Sequence, residues 1–153
     1  MIIKEKISVM ISVDRRLSSY KIEVFCKTNH IELLILFGSR AKKRLHAGSD
    51  FDLAIKLCQG QAVDKLGLIY KLGELLNTDD IDLVILTPDT DPVLLWEIFM
   101  EGRLIYERMA GLFEKEKLRA WKIYLDTERF RKYRREYVKG FVRKVKDVAR
   151  SLK

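Results

Sequence analysis

Three short apolar runs most strongly constrain what this 153-residue chain can fold into. They lie at residues 31–37, 50–57 and 81–86. The first run ends at Gly38, the second alternates apolar with polar residues, and the third stops at Thr87-Pro88. Runs of this length and pattern predict three β-strands, with the first one buried.

Helices are predicted around these strands wherever apolar residues recur at a spacing of three and four. The predicted helices span residues 15–29, 61–77 and 92–101, with a short helix or turn at 39–44 and a short fourth strand at 103–106. Pro92 can open the third helix, because proline is well placed at a first helical position. Residues 2–13 are ambiguous: their alternation favours a short strand, but the segment could also be loosely ordered.

The charge divides the chain into two parts. Residues 1–106 carry 14 basic and 15 acidic side chains, whereas residues 107–153 carry 16 basic and 7 acidic ones. The whole basic excess therefore lies in the last third, so we expect a domain at 1–106 and a basic helical tail at 107–153 with an acidic partner. Two helices are expected in the tail, at 108–125 and 127–151, since Asp126 and Thr127 are both good N-cap residues.

An aromatic and aliphatic stripe follows one face of the second tail helix. Its members are Phe130, Tyr133, Tyr137, Phe141, Val145, Val148 and Leu152. Three interpretations stay open: the stripe covers its own domain, forms a protein interface, or belongs to a nucleic-acid-binding arm. The basic residues for the last interpretation are Arg129, Arg131, Lys132, Arg134 and Arg135.

Composition narrows the class of protein. No apolar run reaches the roughly 18 residues of a membrane span, and no secretory signal is recognisable, so we expect a soluble, cytoplasmic protein. The two cysteines, Cys26 and Cys58, are expected to be buried free thiols, which fits a reducing compartment. Neither His30 nor His46 lies in a motif with zinc-ligand spacing.

Three aspartates have the spacing of a two-metal site. Asp50 and Asp52 lie at i and i+2 of a predicted strand, so their carboxylates point to the same face about 6.6 Å apart. Asp82, on a strand that could lie alongside, can complete the set. Hard oxygen ligands of this kind hold Mg²⁺ ions in phosphoryl and nucleotidyl transfer, one for the attacking hydroxyl and one for the triphosphate.

A glycine and a serine follow the first strand directly. Gly38 allows the backbone to approach a phosphate closely, and Ser39 offers a hydroxyl and a backbone N–H. Arg40 and the basic residues after it can neutralise phosphate charge. Each feature alone has an ordinary explanation: a common turn, a solvated strand edge or a solvated basic face. Their conjunction in order on predicted strands is much harder to obtain by accident.

These motifs resemble a known superfamily. Leu36-Phe37-Gly38-Ser39-Arg40-Ala41 followed by Gly48-Ser49-Asp50-Phe51-Asp52-Leu53 is similar to the signature of polymerase β-like nucleotidyltransferases. The nearest branch is the minimal nucleotidyltransferases, the MNT antitoxins of HEPN/MNT toxin–antitoxin pairs. The resemblance implies an α+β fold, a small mixed sheet flanked by helices, with a C-terminal helical extension.

The resemblance also implies an activity and a set of residue roles. Such proteins hold ATP and Mg²⁺ and transfer AMP to a hydroxyl, here a tyrosine of a cognate HEPN ribonuclease toxin. Gly38 and Ser39 would bind the triphosphate, with Arg40 as a further nucleotide contact. Asp50, Asp52 and Asp82 would be the metal ligands and catalytic residues, and Asp82 would help to deprotonate the acceptor.

Two other functions remain open from the sequence. The protein could neutralise its partner by stoichiometric binding through the tail, with a weak active site. It could instead be a nucleotidyltransferase for a small molecule or an RNA end, although we expect no second domain to bind a small acceptor.

Overall fold

The computed structural model describes residues 19–42 and 50–152 of the chain. The strand considered for residues 2–13 and the residue His46 lie outside these ranges. Among the described residues, the strands are β1 Ile31–Phe37, β2 Phe51–Leu57, β3 Ile81–Ile85 and β4 Arg103–Glu107. They form one four-stranded sheet in the order β3-β2-β1-β4.

The sheet is mixed in direction. β2 and β4 run antiparallel to β1, whereas β3 runs parallel to β2. The helices are α1 Ser19–Thr28, α2 Gly38–Ala41, α3 Lys65–Leu76, α4 Pro92–Trp96, α5 Leu112–Asp126 and α6 Glu128–Ser151, and a π-helical turn spans Glu97–Glu101. The predicted α+β fold, a small mixed sheet flanked by helices, is confirmed.

The connection from β2 to β3 is the helix α3, which begins later than the sequence pattern predicts. Residues 61–64 are not helical. Asp64 is the N-cap, and its side chain accepts a hydrogen bond from the Gly67 backbone N–H at 2.9 Å. Capping stops the helix from extending further toward its N-terminus. Predicting helix for 61–64 was therefore wrong.

The predicted helix at 92–101 has two parts. Asp91 caps α4 by accepting hydrogen bonds from the backbone N–H groups of Val93 and Leu94 at 2.9 and 3.1 Å. From Glu97 the hydrogen bonding changes to the wider π pattern, which ends at Gly102. A Cβ on Gly102 would lie 2.9 Å from Ile35 Cγ2, so glycine permits the chain to pass closely into β4.

Both predicted tail helices exist, with corrected boundaries. The first begins at Leu112 rather than 108, because β4 continues to Glu107, whose carboxylate accepts a hydrogen bond from the Phe113 N–H at 3.1 Å. The break at Thr127 is confirmed, but the predicted side-chain cap is not formed. The Thr127 hydroxyl instead donates back to the Ile123 carbonyl at 2.8 Å, a contact that often bends a helix.

Each face of the sheet is covered by a separate apolar layer. On one face, α1 and α3 pack on the sheet through Ile22, Cys26, Leu68, Leu72 and Leu76. On the other face, the π-helical turn and α5 contribute Ile98, Phe99, Phe113 and Ala120. Side chains alternate between faces along a strand, so Asp52 shares its face with Ala54 of this second layer.

Both cysteines are free. Cys26 is buried as predicted, and burial raises the pKa of its thiol to about 12. Cys58 is only half-buried, contrary to the prediction, and its Sγ accepts a hydrogen bond from Arg108 Nη1 at 2.7 Å. Among the residues that the structure describes, we find no helix that is both long and apolar enough to cross a membrane.

The helix α3 offers a matched test of the core. Leu72 is 1% exposed and Leu66 is 80% exposed on the same helix. We expect Leu72→Ala to lower the free energy of unfolding by about 2–5 kcal/mol, because it leaves a cavity. The control Leu66→Ala should change it by less than about 0.5 kcal/mol. Urea unfolding followed by circular dichroism measures both, and equal effects would contradict this packing.

Candidate active site

Gly38 connects β1 to the short helix α2 in a conformation that favours glycine. Its φ is +70°, in the left-handed region. A Cβ placed on Gly38 would collide with the carboxylate of Asp52, with the Asp52 Cγ only 2.8 Å away. The backbone at Gly38 and the Asp52 side chain are therefore packed directly against each other, although they are distant in sequence.

The strand register brings the second and third elements of the motif together. Asp52 pairs with Phe37 across β1 and β2, and with Asp82 across the parallel pair of β2 and β3. Neighbouring strands lie about 4.8 Å apart. Phe37, Asp52 and Asp82 thus lie side by side on three adjacent strands at one end of the sheet, and Gly38 directly follows Phe37.

The environment of Asp52 opposes its negative charge. Its pKa is raised, first because the carboxylate is partly desolvated and then because the carboxylates of Asp82, Asp50 and Glu97 repel it. The guanidinium of Arg40 acts in the opposite direction. A carboxylate held among other carboxylates favours a bound cation, and carboxylate oxygens are the hard ligands that Mg²⁺ prefers.

The predicted metal ligands are not gathered around one point. Within residues 19–42 and 50–152, no three His, Cys, Asp or Glu side chains are grouped closely enough to hold a metal ion. Asp50 and Asp82 are exposed, so their side chains are free to turn. The carboxylate oxygens of the three aspartates are suitable ligands for a divalent cation, and the strand register places their backbones close together. Binding one ion requires their side chains to converge.

Arg40 occupies a defined position beside these carboxylates. Its guanidinium lies over the ring of Phe51, with 3.8 Å between Cζ and the ring centroid. Phe51 is 2% exposed and directly precedes Asp52 on β2. The stacking on a buried ring holds a positive charge near the carboxylates, where the sequence predicts a phosphate contact.

Ser39 and Asp50 are only partly placed by the structure. Ser39 follows Gly38 as the second residue of α2 and is half-buried. Asp50 directly precedes β2, and its charge acts on Asp52. The residues between them, 43–49, lie outside the described part of the chain.

Glu97 is a residue that the motif did not reveal. It is half-buried at the start of the π-helical turn, and it is one of the charges that raise the pKa of Asp52. The sequence pattern could not find it, since its position depends on a π-helical turn where the spacing predicts a regular α-helix. Such turns occur often at functional sites.

The same turn is joined to the segment that follows Gly38. Lys42, directly after α2, forms an ion pair with Glu101 at the end of the π-helical turn. The Glu101 oxygen in this pair is buried, and the Lys42 ammonium supplies the opposite charge beside it. This pair links the chain after Gly38 to the second apolar layer.

The cavity at the other end of this sheet face is a separate feature. Its volume is about 110 Å³. It is lined by Lys56 of β2, by the segment after β3 that includes Pro88, and by residues of α4, the π-helical turn and α5, among them Glu116. None of the predicted site residues lines it. Lys56 forms ion pairs with Glu32 at 3.5 Å and Glu116 at 2.9 Å, so its charge is satisfied within the protein.

Comparison with known families decides the class of protein. The family described as "Polymerase beta, Nucleotidyltransferase" matches residues 20–110, more than half of the chain. The chain belongs to the polymerase beta nucleotidyltransferase family. The match includes Gly38, Asp52 and Asp82, and it leaves α5 and α6 outside.

Individual relatives have the same fold. The protein adenylyltransferase MntA of Aphanizomenon flos-aquae is 24% identical over 138 residues, covering 84% of this chain and 91% of the relative. A chain of a toxin–antitoxin crystal structure with AMP-PNP matches with a TM-score of 0.66 and 24% identity, over 80% of this chain and 98% of that chain.

A second solved structure is similar at lower identity. It contains a tri-AMPylated Shewanella oneidensis HEPN toxin in complex with an MNT antitoxin. The match has a TM-score of 0.60 and 22% identity, over 78% of this chain and 94% of that chain. At these identities the solved structures establish the shared fold.

Gly38 can be tested against a glycine with the same backbone conformation. We expect Gly38→Ala to abolish nucleotide binding and to lower the free energy of unfolding by about 1–3 kcal/mol, because strain and collision with Asp52 add. Gly60 also has a positive φ, +81°, but a Cβ there would meet no atom within 4 Å. Gly60→Ala should therefore lose some stability and keep nucleotide binding, and equal loss of binding in both variants would contradict the assignment.

Asp52 provides a prediction with a defined pH dependence. Its folded pKa is raised, so the stability it contributes is complete below the unfolded aspartate pKa and is lost as pH rises through the folded pKa. In metal-free buffer we expect Asp52→Asn to raise the melting temperature at pH 7.5, with the gain shrinking as the pH falls toward about 4. Differential scanning calorimetry measures it.

The control for this prediction is Asp89→Asn, which changes an exposed aspartate outside the site. It should leave the melting temperature nearly unchanged. A melting temperature of Asp52→Asn below that of the wild type at pH 7.5 would show that Asp52 stabilises the fold and would contradict the electrostatic account.

Proposed function

We propose that this protein transfers AMP from ATP to a tyrosine hydroxyl of a cognate HEPN ribonuclease toxin, and so acts as its antitoxin. The relatives support this proposal by their names: one is a protein adenylyltransferase, and one solved complex contains an AMPylated HEPN toxin. A cytoplasmic setting with ATP and Mg²⁺ is part of the proposal.

The observation that carries the proposal is the register of three adjacent strands. The pairs Phe37–Asp52 and Asp52–Asp82 place the glycine turn and two carboxylates at one end of the sheet. Nucleotidyl transfer requires a place for the triphosphate next to hard oxygen ligands, and this arrangement supplies both.

In the proposed reaction, the residues of the motif have different roles. The turn at Gly38 and Ser39 receives the triphosphate, and Arg40 neutralises phosphate charge from its position over Phe51. Asp50, Asp52 and Asp82 would hold Mg²⁺, which when bound supplies positive charge to the phosphates and lowers the pKa of the acceptor hydroxyl.

The chemical step is an in-line substitution at the α-phosphorus. The acceptor oxygen forms a bond to the α-phosphorus, and the bond from that phosphorus to the oxygen bridging to the β-phosphate breaks. Pyrophosphate leaves with the bonding electrons, and the hydroxyl proton passes toward the Asp82 carboxylate. The products are an AMP–tyrosine phosphodiester and pyrophosphate.

The position of Asp82 supports a macromolecular acceptor. Asp82 is exposed on β3, which is an edge strand of the described sheet. A hydroxyl on the surface of a large molecule can reach an exposed strand edge more easily than it can enter a closed pocket. This exposure does not favour a small-molecule acceptor, and the printed names of the relatives support a protein acceptor over an RNA end.

Stoichiometric neutralisation is the second candidate function, and the exposure of α6 favours it. No residue of α6 is buried. The two candidates differ in whether the carboxylates are needed, so one experiment separates them.

The experiment is incubation of the protein with labelled ATP, MgCl₂ and the proposed cognate HEPN-type toxin. We expect a toxin tyrosine to acquire label, and Asp82→Asn to reduce the initial rate by at least about 100-fold, because the proton acceptor and a metal ligand are lost. The matched control Asp89→Asn should label the toxin at the wild-type rate. Mass spectrometry identifies the modified residue.

Metal binding has a readout that is independent of activity. Addition of MgCl₂ should raise the melting temperature of the wild type and have little effect on Asp52→Asn, since a ligand that binds the folded state stabilises it. Persistent labelling by Asp50→Ala/Asp52→Ala would refute catalysis at this site. Full protection of cells by that variant without labelling would establish stoichiometric neutralisation instead.

A further inference from the structure

The helix α6 projects from the domain with its side chains in solvent. It spans Glu128–Ser151, and none of its residues is buried. Near the start of α6, the guanidinium of Arg131 stacks on Tyr124 of α5, with 3.7 Å between Cζ and the ring centroid. This contact attaches the first turns of α6 to α5. The interpretation that the aromatic stripe covers its own domain is therefore wrong for α6.

The apolar residues of α6 are separated from most of its charges. They fall on one half of the helix circumference, which we call the apolar stripe: Phe130, Tyr133, Tyr137, Val138, Phe141, Val142, Val145, Val148 and Leu152. The opposite half carries residues such as Lys139, Arg143 and Lys146. An amphipathic helix of this kind normally has a partner for its apolar face.

The exposed apolar area is large enough for a stable interface. Phe130, Tyr133, Tyr137 and Phe141 are 59–76% exposed. Since an aromatic side chain can bury about 150–250 Å², these four leave on the order of 500 Å² uncovered. The five aliphatic residues extend the stripe toward the roughly 800 Å² that one partner contributes to a standard interface.

The charge of α6 argues against a second copy of the same chain. The helix carries ten basic and three acidic residues, a net charge of +7. Packing two such helices along their stripes would bring two strongly basic surfaces together, and like charges at close range destabilise the contact. An acidic surface complements the helix instead.

Arg134 adds a specific requirement to this complementarity. It lies within the apolar stripe, one turn away from Phe130, Tyr137 and Val138. A guanidinium buried at such a position needs a carboxylate opposite it, because an unpaired buried charge is costly. On a lipid surface, hydrocarbon would cover the middle of the stripe, where Arg134 lies, and the anionic headgroups would meet only its edges.

The arrangement also disfavours a nucleic acid. Proteins that bind single strands place aromatic rings within a basic surface, so that bases stack while phosphates meet Lys and Arg. In α6 the aromatic rings and most basic residues lie on opposite halves, and Arg131 already stacks on Tyr124. The helix α6 therefore lacks the combined aromatic and basic surface that a nucleic-acid-binding arm requires.

We propose that the apolar stripe of α6 docks into an apolar, acid-rimmed groove on the toxin, with a toxin carboxylate opposite Arg134. The identity of the partner rests on the proposed function, whereas the stripe and its charge are properties of this chain. Docking through α6 holds the toxin to the protein while its tyrosine reaches the edge of the sheet at Asp82.

The test measures binding to the proposed cognate HEPN-type toxin, by titration calorimetry without ATP and in 150 mM NaCl. We expect Tyr137→Gln/Phe141→Gln to weaken binding by at least about 30-fold, since two anchor side chains are lost. Lys139→Gln/Lys146→Gln on the opposite half should stay within about threefold. All these residues are exposed, so thermal unfolding should be unchanged and confirms folding of each variant.

A pair of neighbouring arginines separates specific pairing from net charge. Arg134→Glu and Arg135→Glu change the net charge equally, but only Arg134 lies within the stripe. We expect Arg134→Glu to weaken binding at least about tenfold more than Arg135→Glu, because it places two carboxylates opposite each other. Equal effects of the two substitutions would overturn the paired-carboxylate part of the proposal.

The outcomes distinguish this proposal from the proposed function. Stripe-dependent binding without AMP transfer would refute the enzymatic function and support the docking surface. AMP transfer with binding unaffected by Tyr137→Gln/Phe141→Gln would refute the docking surface alone. Stripe-dependent self-association, or stripe-dependent binding to anionic vesicles or single-stranded RNA in place of the toxin, would also overturn it.

Discussion

The contact between the Gly38 backbone and the Asp52 carboxylate is the constraint on which the site depends. A side chain at Gly38 would occupy the space of the Asp52 carboxylate, so the turn after β1 and the acidic strand β2 are mutually fitted. The antiparallel pairing of β1 with β2 sets this contact, and the parallel pairing of β2 with β3 adds Asp82. The glycine turn and the carboxylates are thereby held in place by the backbone hydrogen bonds of the sheet.

This arrangement has a cost in stability. Asp52 lies among other carboxylates and is partly desolvated, so its pKa is raised. Functional sites commonly carry such unfavourable charge, and the remainder of the fold offsets it. Here the offset comes from two apolar layers, one against α1 and α3 and the other against the π-helical turn and α5. The π-helical turn contributes both to the core, through Ile98 and Phe99, and to the charge around Asp52, through Glu97.

The two helices of the tail differ in whether they pack on the sheet. α5 contributes Phe113 and Ala120 to the core, whereas α6 leaves its whole stripe in solvent. The carboxylates sit at one end of the sheet and the basic excess of the chain lies in its last third. The proposed docking and the proposed chemistry therefore use different residues, so that substitutions can separate them.

The sequence by itself determined the strands, the helices flanking them and the motif, because strand and helix periodicity and glycine conformation are local properties. Asp50, Asp52, Asp82 and Gly38 could be named as a candidate site from spacing alone. Their individual roles stay predictions, and Mg²⁺ with them. The predicted helix boundaries were wrong where side chains cap a helix start. With Asp64 and Glu107 accepting hydrogen bonds from the first turns, α3 and α5 begin later in the sequence than predicted.

Only the tertiary structure decided the parts that depend on packing between distant segments. Glu97 approaches Asp52 because a π-helical turn, rather than an α-helix, ends at Gly102. Arg40 is held by stacking on Phe51 of another strand. The periodicity of α6 showed an apolar face, but periodicity is the same for a buried face and an exposed one. That the face is exposed follows from where Thr127 directs the helix, which no local pattern encodes.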